Sequence, residues 1–123
     1  MADTFYYGTD TLTIQKTIAL ANKSLRGVLG KDALEKVNAS RRHVAEIVAS
    51  KKTVYGINTG FGILANTSIS EADTRTLQHK ILQSHSVGVG DPIPVEVAKI
   101  MLITKVHALA QGFSGVQPET LHR

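Results

Sequence analysis

Hydrophobic residues recur at three- and four-residue steps in four parts of the chain, and this pattern predicts four helices. The predicted helices cover about residues 14–22, 31–50, 71–85 and 95–111. The aromatic-rich residues 4–8 predict a short strand, and a second strand is expected near residues 53–57. The pattern therefore predicts a mainly α-helical single domain over residues 1–123, with one or two short β-strands.

Residues that favour helix ends stand at the boundaries of these segments. Thr11 or Thr13 could cap the first helix, and Ser70 with Asp73 resembles a capping box at the start of the third. Gly112 is placed to end the fourth helix.

The fourth helix is apolar around most of its circumference. Its polar residues occupy one arc of less than half a turn, and Lys105 lies opposite that arc. The residues of the arc are Glu96, Lys99, Thr104, His107 and Gln111. Such a helix usually has neighbours on several sides, and about four helices cannot provide all of them. We therefore expect this chain to be part of a larger protein. Alone, it would expose apolar helix surface, which favours self-association.

Composition excludes several classes of function. The formal net charge is +4, but the basic residues are spread along the chain and aromatic residues are only 5%, so no nucleic-acid partner is expected. The absence of cysteine excludes disulfides and thiolate metal sites, and the five histidines lack the spacing of a metal site. No secretory signal or membrane span is visible, which predicts a soluble, cytoplasmic protein.

The glycine-rich residues 55–62 are the first candidate for a loop that carries catalytic or ligand-binding residues. Gly56, Gly60 and Gly62 allow the backbone to approach a ligand closely, and Tyr55 at the start of the segment could be delivered into a site. The segment does not have the spacing of a phosphate-binding loop. The alternative is a purely structural turn.

Two further segments deserve comparison with this loop. His85 follows Ser84 at the predicted end of the third helix, where its ring could reach into a cleft, although a surface or capping histidine is the alternative. Residues 112–116, in which Gly112 and Gly115 enclose Phe113 and Ser114, are typical of a tight turn after a helix.

Together these three segments resemble the ammonia-lyases that use a methylidene-imidazolone (MIO) electrophile. The resemblance covers residues 53–116 well and the preceding residues only in the layout of the helices. It implies that Tyr55 is the catalytic tyrosine, which takes a β-proton from the substrate, and that Gly62 lines the substrate site. Gly56, Asn58 and Gly60 would shape the loop. A phenol ordinarily keeps its proton up to about pH 10, so this role requires phenolate stabilisation, for example by loop N–H groups.

The pair Ser84-His85 resembles the branch of this family that acts on histidine. In that branch His85 would contact the substrate imidazole, and the implied reaction converts L-histidine into trans-urocanate and ammonia. The resemblance also implies a larger helical bundle and a homotetramer.

One departure from the family pattern concerns the electrophile. The MIO group forms from consecutive Ala-Ser-Gly, and this triad is absent from the 123 residues. We therefore expect an N-terminal fragment of the lyase, inactive alone, whose electrophile-forming and bundle segments lie downstream. The alternatives are a phenylalanine or tyrosine ammonia-lyase or aminomutase fragment, and a non-catalytic binding or assembly module.

Overall fold

The computed structural model describes residues 3–50, 52–59 and 69–122. These residues form two strands and five helices, which confirms the mainly α-helical class. The elements are β1 (Thr4–Tyr7), α1 (Ile14–Ala21), β2 (Arg26–Leu29), α2 (Lys31–Ala49), α3 (Glu71–His85), α4 (Val95–Leu109) and α5 (Pro118–His122). Two compact units are present, one comprising Met1–His43 with Pro92–Arg123 and the other Val44–Asp91. The single N-terminal domain stays a prediction.

The strands β1 and β2 pair in parallel, with Thr4 opposite Arg26 and Tyr7 opposite Leu29. The second strand predicted near residues 53–57 is wrong, because this segment contains a turn around Gly56, whose φ of +77° cannot continue a strand. β2 has only four residues, too few to show an alternating pattern of its own. Its pairing with β1 is therefore a tertiary feature.

Local capping explains where two of the predicted helices, α1 and α3, begin. The Thr13 hydroxyl accepts a hydrogen bond from the Lys16 N–H (3.3 Å), and the Ser70 hydroxyl accepts one from the Asp73 N–H (3.1 Å). Both side chains satisfy backbone donors that the first helical turn leaves unpaired. The ends of α1, α2 and α4 come one or two residues earlier than predicted, whereas α3 ends at His85 as expected.

The hydrophobic core of the first unit joins both of its sequence segments. Its buried apolar residues are Phe5, Leu20, Ala33, Val37 and Ala110. Ala33 and Val37 are one turn apart on α2 and so share a face. The Phe5 ring meets the Tyr7 ring edge-on, with 5.4 Å between centroids, and lies 5.6 Å from the His107 ring. Phe5 therefore links β1 to α4.

α4 buries little of its surface, although it is apolar around most of its circumference. It packs against α1, yet none of its residues is fully buried. Its half-buried side includes Ile100, Ile103, Val106 and His107. Val97, Met101, Leu102 and Lys105 are exposed. Within the described ranges, no helix is long and apolar enough to span a membrane.

Tyr7 should make the stability of the protein sensitive to alkaline pH. Burial raises the pKa of the Tyr7 phenol, because desolvation disfavours phenolate. The folded state therefore prefers the neutral phenol. The resulting stabilisation of the folded state is fully present below about pH 10, the ordinary pKa of tyrosine. It is lost as pH rises through the higher pKa of the folded state. Tyr7→Phe should therefore lose less stability than wild type as the pH rises above about 10.

The measurement is the midpoint of urea unfolding at each pH, with Tyr6→Phe as the control that removes a more exposed phenol. Equal alkaline losses in wild type and Tyr7→Phe would show that Tyr7 does not contribute this pH dependence.

Candidate functional site

Tyr55 lies in a tight turn that presents its side chain to solvent. The N–H groups of Ile57 and Asn58 both donate to the carbonyl oxygen of Val54, at 3.1 and 3.3 Å. Gly56 has a φ of +77°, a conformation that glycine adopts without the steric cost of a Cβ. The Tyr55 side chain is 65% exposed. The local hydrogen bonds therefore fix the backbone of the turn and leave the phenol accessible.

Asn58 anchors this turn from its buried side. Its side-chain oxygen accepts a hydrogen bond from the Val54 N–H (2.9 Å), and its side-chain nitrogen donates to the Lys52 carbonyl oxygen (2.7 Å). The Asn58 backbone carbonyl accepts a third hydrogen bond from the Ile69 N–H (3.1 Å). Asn58 is only 5% exposed, so these bonds are shielded from water, and breaking them would leave buried polar groups unpaired. A buried amide therefore holds together both ends of the segment that carries Tyr55.

The two remaining predicted loop residues, Gly60 and Gly62, lie outside the described residues. The proposed role of Gly62 in lining a substrate site and that of Gly60 in shaping the loop both stay predictions.

His85 stands in the last turn of α3 and is exposed. Its Nδ1 lies 3.0 Å from the Ile81 carbonyl oxygen and 2.9 Å from the Ser84 hydroxyl oxygen. The Ser84 hydroxyl itself donates to the Ile81 carbonyl oxygen (3.1 Å). A carbonyl can only accept, so both contacts of Nδ1 are hydrogen bonds when this nitrogen carries the proton. The neutral ring then offers Nε2 as an acceptor.

Tyr55, Gly56, Asn58 and His85 all belong to the unit Val44–Asp91. They occupy two kinds of position within it, a turn anchored by a buried amide and the exposed end of a helix. Short local hydrogen bonds order the backbone at both positions. A side chain on such an ordered backbone can contact a ligand without a further loss of backbone freedom.

The sequence gives no sign of a second group of polar contacts, which lies in the other unit. The Gly8 N–H donates to Nδ1 of His107 (3.2 Å), and the Gly115 N–H donates to the Ser40 hydroxyl oxygen (2.9 Å). Gly8, Ser40 and His107 line a cleft of about 800 Å³ between the segment after β1, α2 and the turn after α4. Gly112 and Gly115 have φ values of +80° and +64°, which confirms the predicted tight turn. The paired residues are too far apart in sequence for their spacing to reveal these contacts.

Residues 12–123 match the family model for aromatic amino acid lyases, and the chain belongs to this family. The resemblance inferred from the three motif segments is thereby confirmed. Among curated proteins, the histidine ammonia-lyase of Streptococcus pyogenes serotype M3 is 39% identical over 114 residues. This match covers 93% of the chain and 22% of the relative, so the chain spans about a fifth of that relative's length.

Solved structures agree with this assignment of the fold. Histidine ammonia-lyase from Trypanosoma cruzi is 33% identical with a TM-score of 0.84, over 97% of this chain and 23% of that one. Ergothionase from Treponema denticola, an ergothioneine-degrading enzyme, is 26% identical with a TM-score of 0.87, over 98% of this chain and 24% of that one. The described helices and strands therefore belong to the fold of these larger proteins.

Proposed function

We propose that this chain is the N-terminal part of a histidine ammonia-lyase, which converts L-histidine into trans-urocanate and ammonia. The reaction removes a proton from the β-carbon and the amino group from the α-carbon, and a carbon–carbon double bond forms between them. The observation that carries the proposal is the exposed phenol of Tyr55 on a turn held by the buried Asn58.

In this proposal Tyr55 is the catalytic base that accepts the β-proton. A base must come within hydrogen-bond distance of the proton that it removes, and an ordered turn limits the positions that the phenol oxygen can occupy. Asn58, with Gly56 and Gly60, keeps the turn in place but does not touch the substrate.

His85 is proposed to recognise the imidazole of the substrate. With Nδ1 bound to the Ile81 carbonyl oxygen, Nε2 can accept a hydrogen bond from the N–H of a neutral imidazole ring. A phenyl ring carries no N–H or O–H, and pairing with it would leave Nε2 unsatisfied. A phenol O–H can donate to Nε2, so this contact separates histidine from phenylalanine. A site that forms such a hydrogen bond discriminates between substrates more strongly than a pocket that selects by shape alone. Ser84 supports the arrangement by accepting from the same Nδ1.

The MIO electrophile cannot form within these 123 residues, because they contain no consecutive Ala-Ser-Gly. The proposal therefore places this group, together with the helical bundle, in a part of the protein outside this chain, and it expects the chain alone to be inactive. A homotetrameric assembly, a position for Gly62 beside the substrate and a cytoplasmic location belong to the same proposal.

A chimera tests the function directly. The 114 matched residues of the S. pyogenes enzyme would be replaced by the corresponding residues of this chain, and urocanate formation would be followed by ultraviolet absorbance. We expect the chimera to deaminate L-histidine and to prefer it over L-phenylalanine and L-tyrosine. His85→Leu should lower the ratio of kcat/KM for histidine to that for phenylalanine by about 10–100-fold, the size of one lost polar contact.

His79→Leu is the matched control, because His79 is an exposed histidine on the same helix. A folded chimera that deaminates phenylalanine or tyrosine in preference to histidine would reject histidine as the substrate. An unchanged substrate ratio in His85→Leu would reject the role of His85 alone.

A further inference from the structure

The helix α4 turns one apolar side towards solvent. Val97, Met101 and Leu102 are 45%, 58% and 66% exposed. The opposite side carries His107, whose ring lies against that of Phe5. We call Val97, Met101, Leu102 and Lys105 the outer face of α4. Large apolar side chains collected on one side of a helix are typical of a surface that another element covers.

Lys105 gives this surface a specific chemical character. It follows Met101 by four residues and Leu102 by three, so it is their neighbour on the helix surface. A covering element that buried Lys105 without a partner would leave an uncompensated charge in a poorly hydrated interface, which is strongly unfavourable. The element that covers the outer face must therefore place a carboxylate opposite Lys105.

Self-association through this face, which the apolar pattern of the sequence favours, does not meet this requirement. The outer face contains no acidic residue, and Glu96 lies on the other side of the helix. Two outer faces related by a two-fold axis would enclose two Lys105 ammonium groups and no carboxylate between them. Like charges placed together in this way cost several kcal/mol and disfavour the pairing.

We propose that the outer face of α4 is the docking surface for the remaining part of the histidine ammonia-lyase chain. The docking element is an apolar helical surface with an aspartate or glutamate opposite Lys105. This inference rests on the proposed function. It is supported by the length of the S. pyogenes relative, of which this chain covers 22%, and by the fold shared with the T. cruzi enzyme, of which it covers 23%.

The test uses the 123-residue chain and the rest of the S. pyogenes enzyme, expressed as two separate chains. We expect the two to co-purify in equal amounts. Lys105→Glu should weaken their association about 100-fold, because it sets two carboxylates against each other, and Met101→Asp should weaken it at least about tenfold. Lys99→Glu is the matched control, with the same change of charge at an exposed lysine outside the outer face, and should stay within about twofold.

Circular dichroism of each variant establishes that the chain is folded before binding is measured. Absence of binding by the wild-type chain, or equal binding by wild type and Lys105→Glu, would overturn the proposal. So would a stable homodimer of the chain that Met101→Asp disrupts while the enzyme remainder fails to compete.

The outcome for the docking surface can be separated from that for the function. A complex that depends on Lys105 but forms no urocanate from L-histidine would support the docking surface and count against the proposed activity. An active chimera combined with two separate chains that do not bind would support the activity and reject the docking surface.

Discussion

Tyr55→Phe in the chimera should lower kcat for L-histidine by about 10²–10⁴-fold, the usual contribution of a general base. The substitution removes only the phenol oxygen that would accept the β-proton. The ring and the turn remain, because the turn is held by Asn58 and by hydrogen bonds to the Val54 carbonyl oxygen. KM should change by no more than a few-fold, since the proposed contact that selects histidine is made by His85.

Steady-state kinetics with L-histidine provide the measurement. Tyr6→Phe removes the hydroxyl from another exposed tyrosine, one in β1, and should leave kcat within about twofold. A chimera with Tyr55→Phe that keeps more than half of its activity would show that Tyr55 is not the base, and the proposed mechanism would fail at that step.

Gly8→Ala should destabilise the 123-residue chain by about 3 kcal/mol, which is a large part of the stability of a small domain. Two effects combine at this position. Gly8 has a φ of +78°, which is unfavourable for alanine, and an added Cβ would lie 2.3 Å from the carbonyl oxygen of the buried Ala110. The backbone at the end of α4 would have to move, and with it the hydrogen bond from Gly8 to His107.

Gly56→Ala separates these two effects. Its φ of +77° is nearly the same, but among the residues that the structure describes, no atom beyond its two chain neighbours lies within 4 Å of the position that a Cβ would take. This variant should lose only about 1–2 kcal/mol, the cost of the backbone conformation. The measurement is urea unfolding followed by circular dichroism. Equal losses in the two variants would show that the approach to Ala110 contributes nothing.

Features that depend on neighbouring residues were predicted well from the sequence. The caps at Thr13 and Ser70 and the tight turn between Gly112 and Gly115 each follow from the preferences of a few adjacent residues. Features that join distant parts of the chain were missed. The pairing of β1 with β2 depends on tertiary packing, and a four-residue strand that contains Gly27 has no detectable pattern of its own.

The candidate site divides in the same way. Tyr55 and His85 could be singled out because their segments have a distinctive composition. The hydrogen bonds of Asn58 to Val54 and Lys52, which hold the Tyr55 turn, became visible only in the folded backbone. The contacts of Gly8 with His107 and of Ser40 with Gly115 could not be predicted, because nothing in the local sequence of one residue specifies the other.

The core that contains both Phe5 and Ala110 also constrains the order of events during synthesis. This core lies in the unit that comprises residues 1–43 and 92–123, so the ribosome produces residues 44–91 between its two segments. Synthesis of residues 44–91 takes roughly several seconds at typical rates of elongation. Until α4 emerges, the nascent elements β1 to α2 lack two contacts of the folded unit. These are the contact of His107 with Phe5 and that of Ala110 with Gly8. The first of these 123 residues to be made are therefore unable to complete their core until almost all of the 123 residues have left the ribosome.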